Sequence, residues 1–428
     1  MNDAGKIMQR TDVLAKISDE PGKITRTFAS PAMRRANALV GKWMRAAGMK
    51  TRVDAIGNLI GHYAGANPDA KILLLGSHLD TVRNAGKFDG PLGVLLAIAC
   101  VEQLRRRKLR LPFAIEVIGF SDEEGVRYQT AYLGSKVLAG SFNPKDLQRR
   151  DASDISMADA IKLFGGDPAK IKSARLNPKN LLGYVEAHIE QGPVLESKNL
   201  AVGIVTAIAG QTRARVRFTG RAGHAGTTPM SLRKDALCAA AKFILSAESL
   251  ARKTPGAVAT VGELSVQPGA SNVIPGEVGL TLDVRHGSDA VRKSVHVGLK
   301  RIAAQIARRR KLRLAVEVVH EVAAVNCSPE LSQLLGQSVA RRQLKIVRLP
   351  SGAGHDAAIM GKIAPAAMLF IRCKNGVSHD PAESVKTQDV KVAFDVMNDF
   401  LQSLALKYES LGGKKFAKPP ANLVKPIL

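Results

Sequence analysis

The feature that most constrains the fold is an unbroken apolar run at residues 72–75, which leads into His78 and Asp80. A run this short predicts a strand that is buried on both faces, as the strands of parallel sheets are. Open α/β folds place their functional sites at the carboxyl ends of such strands. The sequence therefore predicts an α/β sheet with His78 and Asp80 at its functional edge.

The side chains that follow this strand are of types that bind metal ions. Residues two apart in a strand point the same way, so Asp80 is placed to accept the second ring proton of His78 and to fix its tautomer. Asp89 follows in a glycine-rich loop, from which it can approach a metal ion from another side. A buried histidine beside two turn aspartates is the alternative, because a lone His-x-Asp motif is common.

A second apolar run, at residues 113–120, leads into the adjacent carboxylates Glu123 and Glu124. A helical pattern from Leu92 to Arg107 separates the two runs, which predicts the strand–helix–strand unit of a parallel sheet. Adjacent carboxylates repel each other unless a cation is near, so this pair favours a divalent metal over a solvated acidic turn. One of the two would bind the metal and the other would face a water on it.

Two histidines complete a candidate ligand set. His188 lies in one apolar segment and His379 follows another, and either alone would be read as an ordinary histidine. With His78, Asp89 and Glu124 they suit Zn²⁺, Mn²⁺ or Co²⁺. Five ligands are too many for one tetrahedral ion, whereas one bridging carboxylate would allow two ions about 3.5–4 Å apart, as in two-metal hydrolases.

The composition predicts a soluble and strongly basic protein of two domains. The 428 residues are long for one domain. No apolar run approaches the ~18 residues of a membrane span and no signal region is visible, so we expect a cytoplasmic protein without a membrane partner. Single cysteines without CxxC spacing argue against a cysteine-based zinc site.

The net charge of +26 is concentrated in part at residues 105–108 and 308–311. It indicates a polyanion-binding surface, steering of an anionic substrate, or merely a solvated basic surface. We favour the last, and expect no specific nucleic-acid partner, because no nucleic-acid-binding motif accompanies the charge.

The pattern of elements changes between residues 212 and 325. Strand and helix signals there follow the order β-α-β-β-α-β, which is typical of ferredoxin-like α+β domains. We therefore expect an inserted domain at 212–325 within a discontinuous α/β domain of residues 1–211 and 326–428.

Specific segments in a fixed order carry a resemblance to a known family; they are GSHLDTV, FDGPLG, FSDEEGVRY, HIEQGPVLE, AGQTR, GHAGTTPM, SNVIPG, DVRH, SGAGHDA and GVSHDPAE. The chain resembles the two-metal amidohydrolases of the aminoacylase/carboxypeptidase-like metallopeptidase superfamily. Within it, the chain is similar to the branch of allantoate amidohydrolase (allantoate deiminase), N-carbamoyl-L-amino-acid hydrolase and β-ureidopropionase. The match spans about residues 30–405, and the basic tail beyond about 407 is expected to be flexible.

The resemblance implies a mixed-sheet catalytic domain whose insert serves for dimerisation and as a lid. It implies two divalent metal ions per subunit, Zn²⁺ or Mn²⁺, with Co²⁺ or Ni²⁺ as further options. His78, Asp89 and His188 would bind one ion, and Asp89, Glu124 and His379 the other, so that Asp89 bridges.

The resemblance also implies catalytic roles. Glu123 matches the general base, Asp80 the residue that supports His78, and His224 the donor that stabilises the oxyanion. In the family this histidine is supplied across a dimer interface, so a homodimer is expected.

Five positions match residues that bind the substrate. Arg285 and Asn272 would hold its carboxylate in a fork, although without the resemblance they would be read as surface residues. Gln191, Gln211 and His355 would line the pocket.

The expected reaction is hydrolysis of a ureido C–N bond in a carboxylate-bearing substrate. Several segments are most similar to plant-type allantoate amidohydrolases, so we expect allantoate, with release of ammonia and carbon dioxide. N-carbamoyl-L-amino acids, or β-ureidopropionate, are the alternative substrates. Further alternatives are a dipeptidase or aminoacylase of the same superfamily, and a scaffold that binds nucleic acid or a membrane surface.

Overall fold

A computed structural model describes residues 2–410 and 412 of the chain. Most of the basic tail lies outside these residues, but the last helix continues to Ser410, so the first residues of the expected flexible end are helical. Within the described range, no helix has the length and apolar character needed to cross a lipid bilayer.

The described residues contain 16 β-strands, which are β1 (Lys50–Val53), β2 (Leu59–Tyr63), β3 (Ile72–His78), β4 (Ala114–Phe120), β5 (Leu181–Ile189), β6 (Val202–Ile208), β7 (Gly210–Thr219), β8 (Gly223–His224), β9 (Val258–Thr260), β10 (Leu264–Gln267), β11 (Val273–Ile274), β12 (Glu277–His286), β13 (Arg313–Val322), β14 (Val325–Asn326), β15 (Arg348–Ser351) and β16 (Ala366–Ile371). They also contain 11 α-helices, which are α1 (Asp3–Ala15), α2 (Pro31–Ala46), α3 (Pro91–Arg106), α4 (Leu133–Ala139), α5 (Met157–Phe164), α6 (Val194–Ser197), α7 (Ala236–Lys253), α8 (Asp289–Arg309), α9 (Pro329–Arg341), α10 (Asp356–Met360) and α11 (Thr387–Ser410).

The chain divides into two compact units. Of the described residues, the first unit contains 2–206, 327–349, 354–410 and 412, and the second contains 207–326 and 350–353. The short return of residues 350–353 to the second unit is a feature that the sequence pattern does not indicate.

The first unit is built on a mixed sheet with the strand order β1-β2-β4-β3-β5-β16-β6. The four central strands β4, β3, β5 and β16 are parallel, and the flanking strands are antiparallel to their neighbours. The mixed α/β architecture expected from the sequence is therefore confirmed.

The parallel centre follows from the sequence of β3 and β4 and the helix between them. β4 is buried along its whole length, and Leu73 and Leu75 of β3 pack into an apolar cluster with residues of α1, α3, α9 and α11. Each fully buried leucine of this kind contributes about 1.5–3 kcal/mol. Pro91 starts α3 at a position where no amide hydrogen is needed, and the helix returns the chain to the start of the next strand.

The second unit contains an antiparallel sheet with the order β10-β12-β7-β13, with β9 also paired to β12. The residues of β7 alternate between buried and exposed positions. Val216 and Phe218 are buried in a cluster with Phe243 of α7 and residues of α8, whereas Arg215 and Arg217 are exposed. One face of this sheet is thus covered by the two helices of the unit, and the opposite face is polar.

Candidate metal centre

The parallel strands of the first unit bring their carboxyl ends, and the side chains that follow them, to one edge of the sheet. His78 is the last residue of β3, and His188 lies one residue before the end of β5. Glu124 follows β4 and His379 follows β16. Side chains separated by up to about 300 positions in the sequence therefore meet because their strands are neighbours.

Asp89 lies at the centre of these side chains. Its Oδ1 is 3.4 Å from Nε2 of His78 and 3.1 Å from Nε2 of His188. Its Oδ2 is 3.4 Å from Nε2 of His379, which is 3.5 Å from Oε1 of Glu124. Ligands bound tetrahedrally at about 2.1 Å from one ion lie roughly 3.4 Å apart, so both sets have the spacing of metal ligands.

The ring nitrogen of His188 tests whether these residues fit a metal ion. Its Nδ1 lies 2.9 Å from the carbonyl oxygen of Ile189, so Nδ1 carries the proton and Nε2 presents a lone pair. Nε2 is buried and has no hydrogen-bond partner among the described residues, although Oδ1 of Asp89 is close. The lone pair of Nε2 therefore faces a carboxylate oxygen with no hydrogen aligned between them. A cation bound by both atoms would satisfy this arrangement.

Gly90 leaves room for the ring of His78. A Cβ atom at Gly90 would lie 2.4 Å from Cε1 of His78, and the backbone there has a φ of +79°, which favours glycine. The close approach fixes the turn between Asp89 and α3 and holds Asp89 beside the histidine.

Asp80 lies against His78 and also contacts the turn after β4. Nδ1 of His78 is 3.0 Å from the backbone oxygen of Asp80 and 3.5 Å from its carboxylate. The Asp80 carboxylate also accepts the backbone N–H groups of Glu123, at 3.0 Å, and of Glu124, at 3.1 Å. Asp80 therefore joins the end of β3 to the turn after β4. The hydrogen bonds from their backbone N–H groups fix the positions of the two glutamates.

Charges in the site shift the pKa values of its histidine and aspartate. Burial alone would lower the pKa of His78, but the carboxylates of Asp80 and Asp89 raise it well above its ordinary value. Burial alone would raise the pKa of Asp89, but His188 and His78 hold it well below its ordinary value. Asp89 is therefore a carboxylate, the form that binds a metal ion.

The pKa values of the two glutamates are raised, in contrast to that of Asp89. Burial, followed by the charge of Glu124, raises the pKa of Glu123 well above its ordinary value. Burial raises the pKa of Glu124 to about 8, with a further contribution from Asp89. The shifts reflect negative charge gathered out of water, which divalent cations would offset.

Two residues predicted to line the pocket contact the ligands in the first unit. Nε2 of Gln191 donates to Oδ2 of Asp89 at 2.7 Å. His355 is buried, with its ring 4.6 Å from that of His188 and 5.8 Å from that of Phe370, measured between centroids. Burial holds the pKa of His355 well below its ordinary value, so this ring is neutral.

Glu186 is a buried residue of the site that sequence reasoning missed. It can join His188 and His355 in a third group of possible ligands. Its two oxygens accept hydrogen bonds from Ser77, at 2.8 Å, and from the hydroxyl of Tyr184, at 3.0 Å. The available signal was its position two residues before His188 in the same strand, which puts both side chains on one face.

His224 and Asn272 lie together in the second unit. β8 pairs with β11, and the backbone oxygen of Asn272 accepts the N–H of Ala225 at 2.9 Å. Nδ1 of the exposed His224 accepts the N–H groups of Gly226 and Thr227, at 3.1 and 3.2 Å. This leaves the ring proton on Nε2, which is therefore a hydrogen-bond donor that faces solvent.

Arg285 and Gln211 also lie side by side in the second unit, because they are paired across β12 and β7. Both contact Asp283, which sequence reasoning missed. Its carboxylate accepts Nε and Nη2 of Arg285 at 3.1 and 3.0 Å, and Nε2 of Gln211 at 2.6 Å. Nη1 of Arg285 donates to the backbone oxygen of Gly352 at 2.8 Å, and this is one of the contacts that residues 350–353 make in the second unit.

Comparisons with known proteins show the family of the chain. The sequence model of peptidase family M20/M25/M40 matches residues 74–403 of the chain. An N-carbamoyl-L-amino acid amidohydrolase from Geobacillus stearothermophilus is 42% identical over 401 residues, which cover 94% of this chain and 98% of that protein. Allantoate deiminase 1 from Glycine max is 42% identical over 426 residues, which cover 92% and 88%.

A solved structure gives the same result. The hydantoinase/carbamoylase family amidase from Burkholderia multivorans matches with a TM-score of 0.88 and 31% sequence identity, over 94% of this chain and 98% of that chain. The family match over residues 74–403 includes all five candidate ligands. The chain therefore belongs to peptidase family M20/M25/M40, in the group of amidohydrolases that contains these relatives.

Proposed function

We propose that this protein is a metal-dependent amidohydrolase that cleaves a ureido C–N bond in a small carboxylate-bearing substrate. The observation that carries the proposal is Asp89, whose two oxygens face two different sets of ligand atoms at 3.1–3.4 Å. One carboxylate shared in this way is the arrangement of two-metal hydrolases. Relatives named as amidohydrolases and deiminases support the ureido bond as the target.

Allantoate is the proposed substrate, and an N-carbamoyl-L-amino acid is the second candidate. Both carry a ureido group and a carboxylate. The segment similarities favour allantoate, whereas the identity of 42% is the same to the Geobacillus stearothermophilus N-carbamoyl-L-amino acid amidohydrolase and to allantoate deiminase 1 of Glycine max, and so favours neither. Ammonia and carbon dioxide are products in either case.

Two divalent cations, Zn²⁺ or Mn²⁺, with Co²⁺ or Ni²⁺ as further options, suit the candidate ligands. His78, Asp89 and His188 would hold one, and Asp89, Glu124 and His379 the other. Bound there, such cations lower the pKa of water and polarise a carbonyl group.

Residues of the chain itself move the protons and hold the charge. Glu123 takes a proton from the attacking water and delivers it to the leaving nitrogen. The backbone N–H of Glu123 donates to the carboxylate of Asp80, and this hydrogen bond fixes the backbone position from which the Glu123 side chain extends. The oxyanion of the tetrahedral intermediate accepts a hydrogen bond from Nε2 of His224, the nitrogen that carries the ring proton.

We further propose that the second unit serves for dimerisation and as a lid, and that the partner subunit supplies His224. β13 is the edge strand of its sheet and leaves Val318, Val319 and Val322 about half exposed. A long edge strand with exposed apolar side chains is suited to pairing with a second copy. Light scattering in solution should report a dimer; a fully active monomer would contradict the shared site.

Arg285 and Asn272 are proposed to bind the substrate carboxylate. Arg285→Ala should raise KM by about 10–100-fold with a smaller effect on kcat, because a charged hydrogen bond is worth about 1.5–3 kcal/mol. Arg213→Ala is the matched control, since Arg213 also contacts Asp283, at 3.3 Å. Steady-state kinetics measure both variants. An unchanged KM in Arg285→Ala, or an equal rise in Arg213→Ala, would place the carboxylate elsewhere.

The proposed function is tested by ammonia release from allantoate and from a panel of N-carbamoyl-L-amino acids. We expect turnover after loading with Mn²⁺ or Zn²⁺, loss of turnover after chelation, and recovery on adding the metal back. Allantoate should have the highest kcat/KM. A carbamoyl amino acid with a higher value would replace allantoate as the substrate. Turnover of dipeptides or N-acetyl amino acids alone would contradict the ureido assignment.

A further inference from the structure

One buried carboxylate joins the loop that carries Asp89 to the loop that carries His379. Oε1 of Glu383 accepts the backbone N–H groups of Phe88, at 2.7 Å, and of Asp89, at 3.1 Å. Its Oε2 lies 3.2 Å from Oγ of Ser378. Glu383 is 4% exposed, so these hydrogen bonds are shielded from water.

The backbone before Asp89 is shaped around this carboxylate. A Cβ atom at Gly86 would lie 2.4 Å from Cβ of Glu383 and 2.5 Å from its Oε1. No real Cβ atom tolerates such distances, so only glycine allows the loop to close on Glu383. The carboxylate therefore fills a space that the 86–89 loop leaves for it.

The hydrogen bonds continue from Glu383 to the side chain of Asp89. Oγ of Ser378 contacts both Oε2 of Glu383 and Oδ2 of Asp89. Nε2 of Gln191 lies 3.3 Å from the same hydroxyl and 2.7 Å from Oδ2 of Asp89. Both the backbone and the carboxylate of Asp89 are thus tied to the loop of His379.

His379 is the candidate ligand with the least packing of its own. Its side chain is 48% exposed, whereas that of His188 is 1% exposed and that of Glu124 is 8% exposed. Its backbone also has a φ of +59°, which is uncommon for a residue other than glycine. The position of this ring must therefore come from the neighbouring loop contacts rather than from burial.

We propose that Glu383 is a positioning residue that holds the loops of Asp89 and His379 together, so that both side chains can bind the same ion. This inference rests on the metal centre proposed above. Glu383 would not touch substrate or metal, and it would act through the peptide N–H of Asp89 and the hydroxyl of Ser378. Removing such a supporting contact typically lowers metal affinity about 10–100-fold.

The test is a titration of the metal-free full-length protein with Mn²⁺. The electron paramagnetic resonance signal of free Mn²⁺ measures how much of the ion is bound. The parent should bind two equivalents. Glu383→Ala and Gly86→Ala should each weaken one equivalent by about 10–100-fold. Glu383→Gln should stay close to the parent, because its amide oxygen still accepts the two N–H groups and its NH₂ can donate to Ser378.

Asp151→Ala is the matched control for stability. Oδ1 of Asp151 also accepts two loop N–H groups, from Ser153 and Ile155, at 2.9 and 3.0 Å. The Asp151→Ala variant should have a lower melting temperature than the parent and unchanged Mn²⁺ binding. If Glu383→Ala fails to fold, Ser378→Ala and Gly86→Ala carry the test.

Three results would overturn the inference. They are normal Mn²⁺ binding in Glu383→Ala and Gly86→Ala, a loss in Glu383→Gln equal to that in Glu383→Ala, or an equal loss in Asp151→Ala. A parent protein that binds no Mn²⁺ would instead overturn the metal centre itself. Because metal binding is measured without substrate, an error in the ureido assignment would leave this test unaffected.

Discussion

Glu123→Gln is expected to lower kcat by about 10²–10⁴-fold, with metal content unchanged. The residue is buried beside Glu124 and His78, and its peptide N–H is fixed by Asp80. Glutamine keeps the shape of the side chain but cannot take a proton from water. The loss should appear equally in kcat and kcat/KM, because proton transfer is needed only in the transition state. Steady-state ammonia release and elemental analysis of the purified variant measure the two quantities.

A glutamate far from the site provides the control. Glu409→Gln changes an exposed side chain near the end of α11 and should behave as the parent. Near-normal turnover in Glu123→Gln would remove Glu123 from the role of general base. Loss of metal together with activity would show that Glu123 is a ligand instead.

Asp89→Asn is expected to weaken the binding of both metal ions and to abolish turnover at ordinary metal concentrations. Each carboxylate oxygen faces a different set of ligands, so one substitution reaches both sites. The effect should exceed the about 10–100-fold cost of losing an outer hydrogen-bond partner. Mn²⁺ binding measures it directly, and turnover at raised Mn²⁺ measures how much of the loss is affinity.

His379→Ala is the comparison for Asp89→Asn. His379 contacts only the Oδ2 side of Asp89, so its loss should weaken one equivalent of Mn²⁺ and leave the other near the parent value. If Asp89→Asn also loses only one equivalent, Asp89 does not bridge. If His379→Ala loses both equivalents, the two sites are not separable in the way the distances indicate.

The central part of the fold could be predicted from the sequence because it depends on local patterns. The apolar runs of β3 and β4, separated by a helix-length segment, require a parallel pair, and the structure has one. Parallel strands carry their polar end residues to one edge, so the grouping of His78 with Glu124 follows from strand direction alone. His188 lies on the neighbouring strand β5, but the apolar run that contains it does not indicate which strand is its neighbour.

Other contacts could not be predicted because they join loops that are distant in the sequence. The N–H bonds from the turn after β4 to the carboxylate of Asp80 depend on where that turn lies, which no periodicity gives. The bond from Phe88 to Glu383 spans 295 positions. The antiparallel strand β6 was also missed, since an apolar run does not indicate the direction of its neighbour.

The order of the strands in the chain has a consequence for synthesis of the protein on the ribosome. β5 carries His188 and lies between β3 and β16, but β16 is made only after the whole second unit. Until then the nascent chain has an apolar strand edge without a partner, which is prone to pair with other chains. A fragment that stops at residue 206 should therefore aggregate, although it contains four of the five candidate ligands. In the growing chain, chaperones would have to cover this edge while more than 150 further residues are added.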